Sequence, residues 1–271
     1  MSGPEGDGAR YTHGHHQSVL SSHRWRTAVN SAPHLLPHLS PGQRVLDVGC
    51  GPGTITLDLA GLVGPGEVVG IDPSPAVIEV ARAAADERGV SNVTFRTGDV
   101  FALDVEADSF DVVHAHQVLQ HLSDPVRALV EMRRVCRPDG IVAVRDADYA
   151  AMAWAPAEPD LERWRDGYRA AARANGAEPD AGRHLLGWAN AAGFSSVVAG
   201  ASTWCFANPE DRRWWGGTWS ERITSSDLAA QLLDGGSTPA DLDAMAQAWL
   251  RWAEHPDGWF VVPSGEVLAR P

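Results

Sequence analysis

The chain contains no lysine, so all 22 of its basic residues are arginine. A Walker-type phosphate loop, which needs a lysine, is thereby excluded. Against those 22 stand 35 acidic residues, for a formal net charge of −13. A chain so acidic, with no basic run, lacks the positive footprint that nucleic-acid phosphates require. It is equally unsuited to an anionic membrane surface. Cysteine is scarce too: Cys50, Cys136 and Cys205 are odd in number, widely spaced and never in a CxxC pair. That pattern speaks against a zinc site or a disulfide framework. No apolar run is long enough to span a bilayer, and the first ten residues are Gly-rich and polar rather than a leader. These absences lead to the expectation of a cytoplasmic protein that acts on a small molecule, with neither nucleic acid nor membrane as partner.

What is present is a rhythm. At 271 residues and 44% hydrophobic content, the chain fits one large domain or one domain with a sizeable insertion. Residues 1–10 read as a disordered tail, and from Thr12 to Leu39 an interrupted helical pattern reads as a cap broken by Pro33 and Pro37. "RVLDVG" is a short apolar run suited to a buried parallel strand, followed by a glycine turn and a helical stripe of Ile55, Leu59, Leu62 and Val63. The unit repeats: "EVVGID", "NVTFRTGD", "FDVVHAH" and "IVAVRD" read as strands, with Ser74-Pro75 and Asp124-Pro125 opening helices between them. Strands alternating with helices at this spacing predict a doubly wound α/β fold. After Asp146 the rhythm is lost. Helical patterns follow at 158–175 and 180–192, then a strand in "FSSVVAGASTWCF", a Trp-rich helical stretch and a last strand in "GWFVVPSGEVLAR". The expected architecture is a mostly parallel, seven-stranded Rossmann-like sheet with an N-terminal helical cap over 1–39. Its core runs through 40–207 and 256–271, and a helical insertion at 208–255 forms a substrate lid, its two flanking strands paired antiparallel.

The chemistry starts at "LDVGCGPG". Gly49, Gly51 and Gly53 permit a tight turn and a close approach of ligand to backbone at the carboxyl end of a strand. A dinucleotide fingerprint wants a third glycine where Thr54 stands, and Asp47 puts a carboxylate where pyrophosphate oxygens would lie. A cationic ligand suits this turn better than an anionic one.

With the motifs that follow it in order, "VLDVGCGPG" resembles the first motif of the class I S-adenosylmethionine-dependent methyltransferases, to which Asp47, Gly49, Cys50, Gly51 and Gly53 then belong. "VVGIDPS" is similar to the second, in which an acid accepts both ribose hydroxyls; the resemblance gives that role to Asp72, with Pro73 beside it. "RTGDVF" is similar to the third and implies Asp99 at the adenine amino group, with Val100 and Phe101 against the ring. The stretch from Phe110 to Gly140 resembles the family's next segment, with Cys136 in place of a usual leucine and Asp139 in place of a glycine; it brings His116 and Gln117 beside the cofactor. Read singly, Asp72 and Asp99 can equally be caps of a following helix or turn. The likeness extends to small-molecule enzymes akin to the ubiquinone/menaquinone C-methyltransferases. It implies S-adenosylmethionine as cofactor and methyl transfer to a small acceptor, apolar or aromatic. The alternative is an enzyme of the same fold that binds S-adenosylmethionine and catalyses a rearrangement or decarboxylation; a non-catalytic scaffold is a third reading, against which the intact acids argue.

Some sugar and natural-product O-methyltransferases that resemble this chain use a histidine after the fourth strand and an aspartate after the fifth. His121 and Asp146 occupy similar places and are the catalytic candidates, with His121 as base or orienter of an acceptor hydroxyl; the same histidine can also do no more than fix its loop. Asp148 and Tyr149 follow nearby as acceptor contacts. Ten of the eleven tryptophans lie after residue 150, and Trp154, Trp214, Trp215 and Trp219 are candidates for a flat acceptor pocket. The same residues suit plain core packing or a homodimer face. In "DRRWW", Arg212 or Arg213 could meet an acidic group of the substrate. Finally, "YTHGHHQSVLSSHRW" holds four histidines without the converging ligands a metal needs. No metal is expected. The resemblance implies a cap instead, with Tyr11 near the cofactor and His13 or His16 facing the acceptor.

Overall fold

A computed structural model of the chain describes residues 25–271; the expectations for Tyr11, His13 and His16 lie outside that range. Five strands, β1 (Val45–Val48), β2 (Val68–Asp72), β3 (Val93–Thr97), β4 (Phe110–His116) and β5 (Cys136–Ala147), run parallel in the order β3-β2-β1-β4-β5. The apolar runs of β1 and β2 follow from burial on both faces, β1 being buried at all four positions, whereas the edge strand β3 is buried only at Phe95. Phe110 pairs with Cys136 and Val112 with Ile141, so the residues between Cys136 and Ile141 form a bulge within β5. The long last strand, β8 (Trp259–Arg270), lies antiparallel between β5 and the short β6 (Ala153–Ala155), and also pairs with β7 (Ser196–Phe206). The sheet is thus mostly parallel, as its sequence pattern predicts, with eight strands among the described residues where seven were expected. Three residues are too few to show an alternation, which is why β6 is silent in the sequence.

Helices α1 (Ala28–Ser31), α2 (Thr54–Val63), α3 (Pro75–Arg88), α4 (Pro125–Val135), α5 (Pro159–Ala174), α6 (Leu185–Ala191), α7 (Pro209–Ser225), α8 (Asp227–Asp234) and α9 (Pro239–Glu254) complete the described chain. Proline opens five of them, where its missing N–H costs nothing. Four of those five carry a side-chain cap just before it. Ser74, Asp124, Asn208 and Thr238 accept from the backbone N–H groups of Val77, Arg127, Asp211 and Asp241. Of the helical pattern expected between Thr12 and Leu39, the described residues from 25 on contain α1 and a 3-10 turn at Leu36–His38. Pro33 and Pro37 account for the interruption.

Helices α7 to α9 connect β7 to β8 and join α5 in a lobe with its own aromatic core. Trp164, Trp219, Trp249 and Trp252 are fully buried there. Trp164 meets Trp219 and Trp249 edge-on, with ring centroids 4.5 and 4.7 Å apart, a favourable quadrupole arrangement. Gly216 lets α7 press on α9: a Cβ there would lie 2.7 Å from the Trp249 carbonyl oxygen and 2.8 Å from the Ala253 Cβ. Its neighbour Gly217 faces open space. Opposite effects are expected at these adjacent glycines in urea denaturation. Gly216→Ala should cost about 1–3 kcal/mol through overpacking, and Gly217→Ala should be neutral or stabilise by up to about 1 kcal/mol through helix propensity.

Candidate active site

A cavity of about 520 Å³ opens above the carboxyl ends of β1 to β5 and reaches into the helical lobe. Its first half is built by local sequence. After β1 the chain turns through Gly49, Gly51 and Gly53, with φ of +67°, +54° and +81°. A Cβ at Gly49 would sit 2.4 Å from Val118, so the turn needs glycine there to pass the loop after β4. Gly53 plays a different part from the one expected of it. It does not line the cavity; it precedes α2, and a Cβ on it would strike Phe95 at 2.7 Å.

Asp47, Asp72 and Asp99 line this half from the ends of β1, β2 and β3. Asp47 is 2% exposed and accepts from the Thr56 hydroxyl at 2.6 Å, while its other oxygen lies 2.7 Å from Nδ1 of the fully buried His114. A carboxylate has about four acceptor positions, so two remain for a ligand. Asp72 accepts from Gly51 N–H at 3.2 Å and Ser74 N–H at 3.0 Å, fastening the two turns together. Asp99 accepts from Phe101 N–H at 2.9 Å. Cys50, Pro73, Val100 and Phe101 also line the wall. Burial and the nearby Asp47 and Asp72 carboxylates push the Cys50 thiol well up, which keeps it an apolar wall group.

The second half is assembled from distant segments. Gln117 takes a left-handed φ of +53° at the end of β4, its N–H donating to the Arg145 carbonyl at 2.7 Å and its side-chain oxygen accepting from Arg26 at 2.7 Å. The turn Leu119–His121 follows. Burial, and secondarily the charge of Arg26, push His121 down to about 3, so the imidazole is neutral across the physiological range. Its Nε2 lies 3.0 Å from the Gln120 amide nitrogen; with that nitrogen donating, Nδ1 carries the proton. His116, Gln117 and Tyr149 line the cavity, with Trp214, Trp215 and Trp219 of the lobe. Trp25 stacks on Trp214 at 5.4 Å and meets Trp204 edge-on at 5.2 Å.

Besides Gly53, three of the sequence candidates do not reach the cavity. Asp146 is fully buried beneath the loop it was expected to work with, where it accepts from Gln120 N–H at 3.0 Å. Its neighbour Ala147 takes the cavity-facing position, since alternate strand residues face opposite ways. Asp148 caps the turn Tyr149–Ala151 and pairs with Arg183 at 2.6 Å. Trp154 stacks on Phe260 at 5.7 Å, with Arg165 over its ring. Neither arginine of "DRRWW" serves the cavity: Arg212 donates to the carbonyls of Ala253, Ala207 and Gly258, and Arg213 is exposed. The cavity residues that sequence reading missed include Trp25, Arg26, Trp204 and Arg222. Two of these left a signal: Trp204 is one of the ten tryptophans after residue 150, and Arg222 stands three residues after Trp219 and seven after Trp215 on one helical face.

Among known proteins, the family model described as a methyltransferase domain matches residues 39–200. An uncharacterized methyltransferase of Schizosaccharomyces pombe is 35% identical over 267 residues, 95% of either chain. The ubiquinone/menaquinone biosynthesis C-methyltransferase of Bdellovibrio bacteriovorus is 39% identical over 103 residues, 38% of this chain and 43% of that one. The fold is that of the YcgJ protein of Bacillus subtilis, with a TM-score of 0.58 at 20% identity, covering 88% of this chain and 98% of that one. The first likeness runs the length of the chain, whereas the quinone enzyme shares little more than a third of it.

Burial raises Asp146 from 3.8 to about 7, against the opposing N–H groups of Gln120 and Leu119. The folded chain therefore holds a proton that the unfolded chain has lost above about pH 4. That proton's stabilisation is present at low pH and disappears as pH rises through about 7. Asp146→Asn carries no charge to desolvate, so its melting temperature relative to the wild type should climb by at least about 2 °C between about pH 5 and pH 8. Thermal melts of both proteins across that range check it; a difference flat with pH would leave Asp146 unshifted.

Proposed function

The chain belongs to the methyltransferase-domain family, and on that premise we propose that it methylates an apolar or aromatic small molecule seated against the tryptophans of its helical lobe. It is an S-adenosylmethionine-dependent methyltransferase. The observation that carries the acceptor reading is one continuous cavity, lined by carboxylates at the ends of β1 to β3 and by Trp25, Trp204, Trp214, Trp215 and Trp219 at the other side.

The donor set suits the cofactor. Asp47, Asp72 and Asp99 are acceptors for ammonium, hydroxyl and amino groups and would repel a pyrophosphate. Asp72 would take the ribose hydroxyls and Asp99 the adenine amino group, with Val100 and Phe101 flanking the base. When bound, S-adenosylmethionine supplies a methyl group already activated on a positively charged sulfur. What remains for the chain is to hold the acceptor close, align it and exclude water. Trp25 and Arg26, the first described residues, line the cavity as a cap would, and α7 to α9 are read as its lid.

His121 is assigned as the group that orients the acceptor. A histidine held near 3 is a weak base at neutral pH, so its neutral ring serves as a fixed hydrogen-bonding group rather than a proton sink. Asp146 positions that histidine through the Gln120 N–H. A cytoplasmic setting accords with three free thiols; among the described residues no helix is long and apolar enough to cross a membrane.

Two variants separate binding from chemistry. Asp72→Ala should weaken S-adenosylhomocysteine binding about 10- to 100-fold in calorimetry, the loss expected for hydrogen bonds to a charged group. His121→Ala should lower turnover by about tenfold or more and leave that affinity unchanged. Release of S-adenosylhomocysteine with a methylated acceptor is the readout. An acceptor converted without it would mean that the cofactor is only held.

A further inference from the structure

Asp47 faces the cavity, and one of the two groups that hold it interrupts an apolar strand. His114 stands in β4 between Val113 and Ala115, directly across from Asp47 in the parallel register of β1 and β4. It is fully buried and does not line the cavity. An imidazole in such a place costs desolvation that a valine would not. Only one of its two nitrogens is compensated. Nδ1 lies 2.7 Å from Asp47 Oδ1, whereas Nε2 has no hydrogen-bond partner among the described residues. A buried polar atom left unpaired inside a sheet calls for a reason other than packing.

The Asp47 end supplies that reason. An ionised carboxylate only accepts, so the proton between the two groups belongs to Nδ1. The Thr56 hydroxyl donates to the other oxygen, Oδ2, at 2.6 Å. Held by Thr56 alone, the carboxylate could pivot about that one bond. Donors on both oxygens, one from α2 and one from β4, stop the rotation and fix where the remaining acceptor positions point. Charge-assisted hydrogen bonds are strong only when donor and acceptor are aligned, so this fixing bears directly on what Asp47 can bind.

Resting on the methyl-transfer reading above, we propose that His114 is a positioning residue for the donor's α-ammonium group, acting through Asp47 without touching the cofactor. The effect is confined to one end of the ligand. Adenine and ribose are assigned to Asp99 and Asp72, beyond β3 and at the end of β2, and neither of those strands pairs with β4. Loss of the imidazole should therefore weaken recognition of the ammonium and leave the adenosine end as it was.

Calorimetry on the full chain tests this with two ligands, S-adenosylhomocysteine and its deamino analogue, in which hydrogen replaces the α-ammonium group. The wild type should bind S-adenosylhomocysteine at least about tenfold more tightly than the analogue. In His114→Leu that ratio should fall at least about threefold, through loss of S-adenosylhomocysteine affinity with the analogue's affinity unchanged. His114→Asn, whose amide nitrogen can stand in for Nδ1, should keep the ratio. Should His114→Leu not fold, His114→Gln, whose amide lies one methylene further out, reads the same loss. A wild-type ratio near one, a ratio that survives the loss of the Nδ1 donor, or a fall in His114→Asn as large as in His114→Leu overturns the proposal. So does an equal loss of both ligands in His114→Leu, which would make the imidazole a support of the fold alone. Failure of the wild type to bind S-adenosylhomocysteine would strike the methyl-transfer reading itself, while normal binding with an unmoved ratio strikes His114 alone.

Discussion

A buried carboxylate has to be hydrogen-bonded, and the one that organises this molecule is Asp47. It lies one residue before the end of β1, accepts from Thr56 on α2 and lies 2.7 Å from His114 on β4. One residue thus ties the central strand to its own following helix and to its neighbour in the sheet. Without those partners a 2% exposed charge would cost several kcal/mol. With them, the glycine turn is anchored at its base, and Asp72 closes it at the top through Gly51 and Ser74. The ends of the strands then lie at one edge with their acids facing a single opening. Everything that binds at this edge depends on that clamp.

The clamp is also why half of the site is legible in the sequence. Its determinants are short-range: a glycine turn after an apolar run, then an acid at the end of each of the next two strands. Asp47, Asp72, Asp99 and Phe101 are picked out by the short motifs in which this chain resembles its family, and they stand together in the fold. The other half resists because its members are far apart in the chain. Trp25, Trp204 and Arg222 meet only after β7 has paired with β8 and α7 has packed on α9. Where local reading is pushed past the strand ends it goes astray for definable reasons. Asp146 follows the strand's alternation away from the opening, and Asp148 is recruited as a cap and ion partner. Trp154 belongs to β6, whose three residues pair it against Phe260.

The tryptophans show how one composition signal can serve two ends. Trp164, Trp249 and Trp252 are interior to the lobe, whereas Trp214 and Trp215 lie on its border with the cavity; Trp219 belongs to both. Ring contacts run without a break from Trp25 through Trp214 and Trp215 to Trp219 and Trp249. The cavity wall is therefore the outer layer of a close-packed core, and such layers are stiff. A wall of that kind offers a flat, preformed surface, so an acceptor need not order it on arrival.

The segment that carries Trp25 and Arg26 is held from the far side of the sheet. Trp204 on β7 donates to the Asn30 carbonyl at 2.6 Å, and Arg145 is buried against the Trp204 ring while pairing with Glu266 on β8 at 3.3 Å. Glu266 also stands 3.6 Å from His34, but burial, with the neighbouring His114 and Arg145 charges, holds His34 down at about 3. That contact is a polar packing pair, and the ion pair is Arg145–Glu266. It joins β5 to the antiparallel strand β8, and so needs a partner outside the β1 to β5 half that a glycine-turn motif describes. A protein that shares only the first five strands inherits the donor clamp but neither this anchor nor the α7 wall. Likeness in the parallel half therefore carries cofactor identity, and acceptor identity has to be read from the segments that the antiparallel strands hold in place.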